Sequence, residues 1–216
     1  MVNTRKFWEE SWEKHPQDLT NTYAHLLLDI TDKSALYVGC GYIMYDIGIL
    51  KPGYFIGLDI AKKPLDLSRE TSYADGFVLG NGNNLPFKTD SFDVAFSIDT
   101  FTYTNNFYDI LKEMKRVVRE RIVFTVCHLN DAILYTGDNY VQEEYSNAFH
   151  TENHDIFFFT ENNIKKLLSD LGLKPLEILT LTKGEVANFM PSVDGEPVYV
   201  PNGNVKEQIF VEAKKL

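Results

Sequence analysis

The sequence predicts a doubly wound α/β fold, and three observations lead to it. Short apolar runs alternate with amphipathic helical segments from residue 34 onward. The first run ends in a glycine turn, and the last two runs have no helix between them. Alternating strands and helices form parallel sheets with right-handed crossovers and helices on both faces. Two consecutive strands without a helix form an antiparallel pair. We therefore expect a mostly parallel sheet with an antiparallel hairpin at one edge.

Residues 1–33 predict two helices ahead of the first strand. Thr4 is the expected N-cap of the first helix, because a threonine hydroxyl can accept from an unpaired backbone N–H. Trp8 and Trp12 are spaced i and i+4 and therefore lie on one side of that helix. These indole rings either cap a bound ligand or pack onto the domain. Beyond the break at Pro16, apolar residues at helical spacing predict the second helix.

Seven apolar runs predict the strands, and helices fill most of the intervals between them. A short helix is expected over residues 42–50, and a longer one begins near Pro64. Another is capped by Asn105 or Asn106, and the last is capped by Thr160. The strands are expected at residues 34–38, 54–58, 76–79, 92–97, 122–126, 175–182 and about 208–214.

Length, charge and composition limit the class of protein and its partners. The 216 residues suit one domain, residues 1–216. A net charge of −10 repels phosphate backbones, so we expect no nucleic-acid partner. Two cysteines are too few for a disulfide framework. No apolar run approaches the ~18 residues of a membrane span, and the N-terminus lacks a signal-peptide core. We expect a cytoplasmic protein without a membrane partner, either a monomer or a homodimer.

A ligand site is expected where the first strands end, because open α/β sheets bind ligands beyond the carboxyl ends of their strands. Gly39 and Gly41 allow a tight turn and the close approach of a ligand after the first strand. Asp59 ends the second strand, where a carboxylate can accept both hydroxyls of a ribose. The dinucleotide pattern GxGxxG fails at Met44, which favours a nucleoside ligand without a diphosphate.

Four stretches of the chain resemble the class I S-adenosylmethionine-dependent methyltransferases, specifically the small-molecule group that includes quinone-biosynthesis enzymes. They are ALYVGCG, GLDI, GNGNNLPFKTDSFDVAFS and LLSDLGLKPLEI. The third is the most specific, and the resemblance covers nearly all of the chain from residue 34. It implies a Rossmann-like seven-stranded sheet with an antiparallel C-terminal strand. It also implies S-adenosylmethionine as cofactor and methyl transfer to a small-molecule acceptor.

The resemblance assigns nine residues to cofactor binding by their position in the matched stretches. They are Gly39, Cys40 and Gly41 (amino-acid part), Asp59 (ribose), Ile60 (adenine face), Asn81 and Gly82 (adenine edge), and Ser97 and Ile98 (methionine part). Four positions depart from the family pattern. Tyr37 replaces an acidic residue, Ile43 replaces a third glycine, and Asn81 replaces aspartate. A turn normally rich in proline and glycine is shortened to residues 119–121.

Catalytic candidates are the polar residues that follow the fourth and fifth strands. Asp99 and Tyr103 contact cofactor or acceptor, or else pack within their loop. His128 is either a general base or an ordinary loop histidine. His150 and His154 would share one helix face, but no third ligand is identified, so we expect no metal.

Two segments, residues 127–158 and 183–206, interrupt the strand–helix rhythm at the place where the resembling family builds its acceptor pocket. An aromatic lining suits a small, partly apolar acceptor, although the same residues could cover the sheet edge. A homodimer would join through residues 183–206. The aromatic residues of the two segments are Tyr135, Tyr140, Tyr145, Phe149 and Phe189.

Three other functions remain open from the sequence. The departures at Tyr37 and Ile43 motivate a non-catalytic member of the fold, which binds S-adenosylmethionine or a partner through the same cleft. A nicotinamide-dependent oxidoreductase is disfavoured by Met44 and by the LPF stretch. A protein methyltransferase would show an extended acidic groove.

Overall fold

A computed structural model describes residues 4–14, 29–43, 51–71, 74–130, 140–150, 155–181, 192–193, 196–197 and 207–216. Most of the predicted second helix, nearly all of the predicted helix over residues 42–50, and most of the 183–206 segment lie outside these residues. The helices are α1 (Thr4–Lys14), α2 (Lys62–Thr71), α3 (Phe107–Val117) and α4 (Glu161–Asp170), with a 3-10 helix at Phe101–Tyr103. The strands are β1 (Ser34–Val38), β2 (Tyr54–Asp59), β3 (Gly76–Leu79), β4 (Phe92–Ser97), β5 (Val118–Cys127), β6 (Val141–Gln142), β7 (Asn147–His150), β8 (Asp155–Phe158), β9 (Leu173–Leu181), β10 (Ser192–Val193), β11 (Glu196–Pro197) and β12 (Gln208–Lys215).

Seven strands form the main sheet in the order β3-β2-β1-β4-β5-β12-β9. Strands β1 to β5 pair in parallel, whereas β12 is antiparallel to both β5 and β9. The predicted Rossmann-like, doubly wound α/β fold is therefore confirmed, including the antiparallel C-terminal strand. The strand order reverses direction between β1 and β4. This switch point opens a crevice at the carboxyl ends of the strands.

Helices cover both faces of the sheet. Leu111 of α3 and Leu168 of α4 are buried in a cluster on one face, and Leu65 of α2 packs with Phe96 on the other. Because both faces are covered, the central strands β1 and β4 are buried along most of their length and mostly apolar. This packing fixes the strand ends, and with them the loops that form the site.

The loop after β3 is held by side chains of α3. Arg116 donates from Nη1 to the Phe87 carbonyl (2.8 Å) and from Nη2 to the Leu85 carbonyl (3.0 Å). Glu113 pairs with Arg116 and accepts from the Leu85 N–H at 2.9 Å. These bonds give the LPF stretch a structural role, since they fix the loop that leaves the third strand.

One prediction about the middle of the chain is wrong. Residues 119–121 form no turn, because α3 ends at Val117 and β5 begins at Val118. Their charges fit a strand because Arg119 pairs with Asp93 (2.7 Å) and Arg121 pairs with Glu212 across the β5–β12 ladder (2.5 Å). Asn106 is the N-cap of α3, as predicted, but its side chain makes no capping bond.

The 127–158 segment contains regular structure where the sequence indicated only a break. Strands β6, β7 and β8 form a separate three-stranded antiparallel sheet. His150 lies on β7 and not on a helix, so the helical spacing that would bring it to one face with His154 does not apply at His150. His154 lies outside the described residues. At the end of this segment, Thr160 caps α4 as predicted, accepting from the Asn163 N–H at 3.2 Å.

Candidate cofactor and acceptor site

The loop after β1 is a glycine turn fixed by the end of β2. Gly39 (φ +69°) and Gly41 (φ +52°) adopt left-handed conformations that other residues rarely enter. The N–H groups of Gly39 and Cys40 both donate to the Leu58 carbonyl, at 2.8 and 3.0 Å. A Cβ atom on Gly39 would lie 2.3 Å from Thr100 Oγ1, so only glycine fits there. The predicted glycine loop thus depends on tight packing as well as on its dihedral angles.

Asp59 ends β2 and connects the glycine loop to the start of α2. One carboxylate oxygen accepts from the Gly41 N–H and the other from the Ala61 N–H, both at 2.8 Å. Burial raises the pKa of Asp59, although the hydrogen bonds from Ala61, Gly41 and Ile60 oppose that rise. A carboxylate has about four lone-pair positions, so two remain for hydroxyl donors of a ligand.

The loops after β3 and β4 come close to the glycine loop. Gly82 is buried, and a Cβ atom on it would lie 3.0 Å from Val38 Cγ1, next to the end of β1. Asn81 is exposed, and its side-chain oxygen accepts from the Asn83 N–H at 3.2 Å. From β4, Ser97 donates to the Val38 carbonyl at 2.9 Å. The strand ends that carry the predicted cofactor residues therefore lie side by side.

The remaining cofactor candidates differ in burial. Cys40 is buried, and burial raises the pKa of its thiol well above the usual value, with a further rise from the charge of Asp59. Ile98 is buried in the core, whereas Ile60 is half-buried. Ile60 is thus the more accessible of the two isoleucines to a ligand surface.

Two departures from the family pattern belong to the hydrophobic core. Tyr37 is buried and stacks on Phe96, with 4.4 Å between ring centroids. Ile43 is also buried, and its N–H donates to the hydroxyl of Ser68 at 2.8 Å. Ser68 in turn donates to the Pro64 carbonyl of its own helix, α2. The loop is therefore held by α2 at the place where the family carries a third glycine.

Helix α1 lies across three of the loops that form the site. A Cβ atom on Gly41 would meet the Trp12 ring at 2.7 Å. The carboxylate of Glu9 accepts from the Lys62 N–H (2.7 Å) and the Lys63 N–H (3.1 Å) at the start of α2. Trp8 packs edge-on against Tyr103, with 5.5 Å between ring centroids. Both tryptophans therefore pack onto the domain, directly above the predicted site.

Asp99 belongs to a buried polar cluster between the carboxyl ends of β4 and β5. It has a left-handed φ of +55°, which is unusual for a residue with a side chain. Its Oδ1 accepts from the Thr102 hydroxyl (3.3 Å) and lies 3.7 Å from the Cys127 thiol. Its N–H donates to the hydroxyl of Thr125 at 2.9 Å. Strand ends and a strained backbone thus fix this carboxylate beside the predicted acceptor position.

His128 is oriented toward β12, away from the Asp99 cluster. Its Nδ1 accepts from the Asn130 N–H at 3.1 Å, which places the ring proton on Nε2. Glu207, the residue before β12, lies 3.7 Å from the same nitrogen. The structure therefore does not bring His128 together with the other predicted catalytic residues.

The sequence indicated neither the positioning residues Thr100, Ser68 and Glu9 nor their contacts. Ser68 stands four residues after Pro64 on a helix, which is the usual spacing of a serine bonded to a helical carbonyl; Thr100 and Glu9 carry no such local signal. Within the described ranges no three His, Cys, Asp or Glu side chains are close enough to hold a metal ion. The described part of the chain also has no helix long and apolar enough to cross a membrane.

The strand order and the glycine loop opposite an acidic strand end define a Rossmann-like fold. Residues 36–125 match the family described as "Methyltransferase domain". This match, over less than half of the chain, supports the resemblance to the class I S-adenosylmethionine-dependent methyltransferases that the sequence indicated. The comparisons do not distinguish the quinone-biosynthesis group within this family.

Two mycobacterial relatives each match less than half of the chain. A phthiotriol/phenolphthiotriol dimycocerosates methyltransferase of Mycobacterium tuberculosis is 32% identical over 97 residues, which cover 43% of this chain and 36% of the relative. A fatty-acid O-methyltransferase of Mycolicibacterium smegmatis is 29% identical over 96 residues, which cover 42% and 35%. The chain thus matches about a third of the length of these relatives.

Solved structures share the fold over nearly the whole chain. A chain from the complex with the Haloferax volcanii Trm112 methyltransferase activator has a TM-score of 0.69 at 15% identity, covering 99% of this chain and 97% of that one. The 1,6-didemethyltoxoflavin-N1-methyltransferase of Burkholderia thailandensis, solved with S-adenosylhomocysteine, has a TM-score of 0.69 at 13% identity, covering 98% and 87%. At these identities the likeness concerns the fold.

Proposed function

We propose that the chain binds S-adenosylmethionine in the crevice at the carboxyl ends of β1 to β4 and transfers its methyl group to a small-molecule acceptor. The bonding of Asp59 carries the proposal. Asp59 is buried, burial raises its pKa, and its carboxylate is bonded to the glycine loop. A carboxylate in this position suits a ribose diol. The domain family and the S-adenosylhomocysteine in the Burkholderia structure support the same cofactor.

The residues of the crevice fit this cofactor. Asp59 keeps lone pairs for the ribose hydroxyls, and Ile60 offers a half-buried apolar surface for the adenine. The exposed Asn81 has an amide that can bond the adenine edge. Glu9 and Trp12 of α1 cover the same loops, so we propose that the helix excludes water from the bound cofactor.

When bound, S-adenosylmethionine supplies an electrophilic methyl carbon: the acceptor's lone pair bonds to that carbon while the carbon–sulfur electron pair returns to sulfur. The protein's part is to position the acceptor and to take up a proton where the acceptor loses one. Asp99 is the proposed base, because its carboxylate is fixed between β4 and β5. Tyr103, held against Trp8, is proposed to contact the acceptor.

Calorimetric titration of the chain with S-adenosylhomocysteine tests the cofactor proposal. We expect one site with a dissociation constant of roughly micromolar order. Heat at the level of buffer dilution would contradict it. Methyl transfer is then tested with labelled S-adenosylmethionine on a panel of phenols, amines and carboxylic acids. Binding without transfer to any of them would favour the non-catalytic alternative that the departures at Tyr37 and Ile43 motivate.

The location of the protein is also part of the proposal. Cys40 and Cys127 are both buried, and neither forms a disulfide bond. Cysteines without disulfide bonds are usual in the reducing cytoplasm, and they support the expected cytoplasmic location.

A further inference from the structure

The side chain of Gln208 carries a buried hydrogen-bond acceptor without a partner. Gln208 begins β12 and is 2% exposed, and its carbonyl oxygen Oε1 makes no hydrogen bond. It is the one such side-chain atom among the described residues. A buried acceptor that has lost water without gaining a donor destabilises the fold. Leucine or methionine would fill the same space without that cost, so the amide calls for another explanation.

The register of the sheet places Gln208 beside the Asp99 cluster. Gln208 pairs with Cys127 of β5 on one side and with Leu181 of β9 on the other. Paired residues of antiparallel strands direct their side chains to the same face, with Cα atoms about 4.5–5.5 Å apart. The Cys127 thiol lies 3.7 Å from Asp99 Oδ1. The Gln208 amide is therefore one strand away from the carboxylate proposed to act on the acceptor.

We propose that Gln208 Oε1 is a subsite for the methyl acceptor and selects molecules that carry a neutral hydroxyl or N–H donor; this inference rests on the proposed function. An amide oxygen can only accept, so the ligand must donate. The negative charge of Asp99 disfavours a carboxylate at this position. Leu181 and Cys127 are buried apolar neighbours and suit a ring or an aliphatic body.

Phenol, anisole and benzoate are the probes that test this subsite. They share a ring, but only phenol donates a hydrogen bond at neutral pH. Each is titrated into the full-length chain by ligand-observed NMR, with and without saturating S-adenosylhomocysteine. We expect phenol to bind at least about tenfold more tightly than anisole or benzoate, because only phenol satisfies the buried oxygen.

Two variants connect this preference to the amide. Gln208→Leu is expected to remove the preference for phenol and to raise the melting temperature, since the unpaired oxygen is gone. Gln208→Met, unbranched like glutamine, is the second variant if the leucine does not fit. Gln142→Leu, at an exposed position on β6, is the matched control and should keep the preference.

Several results would overturn the subsite. Equal binding of phenol and anisole, or no binding of phenol, would do so. A preference for phenol that survives in both Gln208 variants would do so as well. Raised stability with an unchanged preference would show that the oxygen is unpaired but takes no part in binding the acceptor. Cofactor binding is measured separately by the calorimetric titration with S-adenosylhomocysteine, so its failure concerns the proposed function and is distinguished from a failure of the subsite.

Discussion

Replacing Asp59 by asparagine separates the contribution of this carboxylate to the fold from its contribution to ligand binding. Burial raises the pKa of Asp59 despite its backbone hydrogen bonds, so the ionised form is less favourable in the folded chain than in the unfolded one. Asparagine keeps the volume and removes the charge. It also turns one acceptor into an amide donor that faces the N–H of Gly41 or Ala61.

The substitution has two opposing effects on stability, whereas its effect on ligand binding is only unfavourable. A lost backbone hydrogen bond costs about 1–3 kcal/mol, and relief from burying a charge offsets much of it. We therefore expect the free energy of unfolding of Asp59→Asn to lie within about 1 kcal/mol of the parent at pH 7. Loss of a charge-assisted bond to the ribose diol should weaken S-adenosylhomocysteine binding by about 2–3 kcal/mol, roughly 30- to 150-fold.

Calorimetry and urea unfolding measure the two quantities on the same samples, and the pH dependence has a defined sign. The folded chain keeps Asp59 protonated to higher pH than the unfolded chain, whose reference value is 3.8. Ionisation therefore costs stability as the pH rises above that value, and Asp59→Asn should gain relative to the parent over the same range. Unchanged affinity, or an unfolding loss above about 3 kcal/mol, would refute this reasoning.

The remaining predictions concern the far end of the sheet, the covering helix and the fifth strand. Burial acts to raise the pKa of Asp93, but bonds from Ser34 and Arg119 hold it at about 2. Asp93→Asn should thus lose about 2 kcal/mol of stability at pH 7, and the parent should lose about the same amount as the pH falls from about 4 to about 2. The affinity of Asp93→Asn for the cofactor, measured by calorimetry, should equal that of the parent. Gly41→Ala should cost roughly 1–2 kcal/mol of stability through its left-handed φ, and a further steric cost against Trp12 should disappear in the Trp12→Ala background. Thermal unfolding of the parent, both single variants and the double variant measures this coupling energy, and a coupling energy of zero would contradict the contact. His128→Gln should leave the pH profile of kcat unchanged with any acceptor that is found, because Nδ1 of His128 is already bonded to the Asn130 N–H. Loss of one limb of the profile in this variant would instead support His128 as the general base.

The parts of the site that the sequence predicts well are those with local patterns. A glycine turn after an apolar run, and an acidic residue at the end of the next run, fix the positions of Gly39, Gly41 and Asp59. Their direct bond, from the Gly41 N–H to the Asp59 carboxylate, agrees with that spacing. Apolar runs likewise predict the parallel strands, because a sheet covered on both faces needs them.

The rest depends on contacts between residues that are far apart in the chain. Glu9 caps a helix that begins at Lys62, and Thr100 packs on Gly39, and no periodicity encodes either contact. The charged start of β5 looked like a turn because its partners, such as Glu212, come from distant strands. The unpaired oxygen of Gln208 also becomes visible only when the register of β12 is known.

The position of β12 between β5 and β9 has a consequence for how the chain reaches its native state. Both neighbours precede β12 in the sequence, so their facing edges stay unpaired until β12 inserts between them. The β5–β12 ladder is complete only when residue 208 pairs with residue 127. Such distant pairing is slow, and open strand edges attract other chains. Refolding should therefore be sensitive to protein concentration. A chain shortened before residue 208 would leave the facing edges of β5 and β9 unpaired and prone to aggregation.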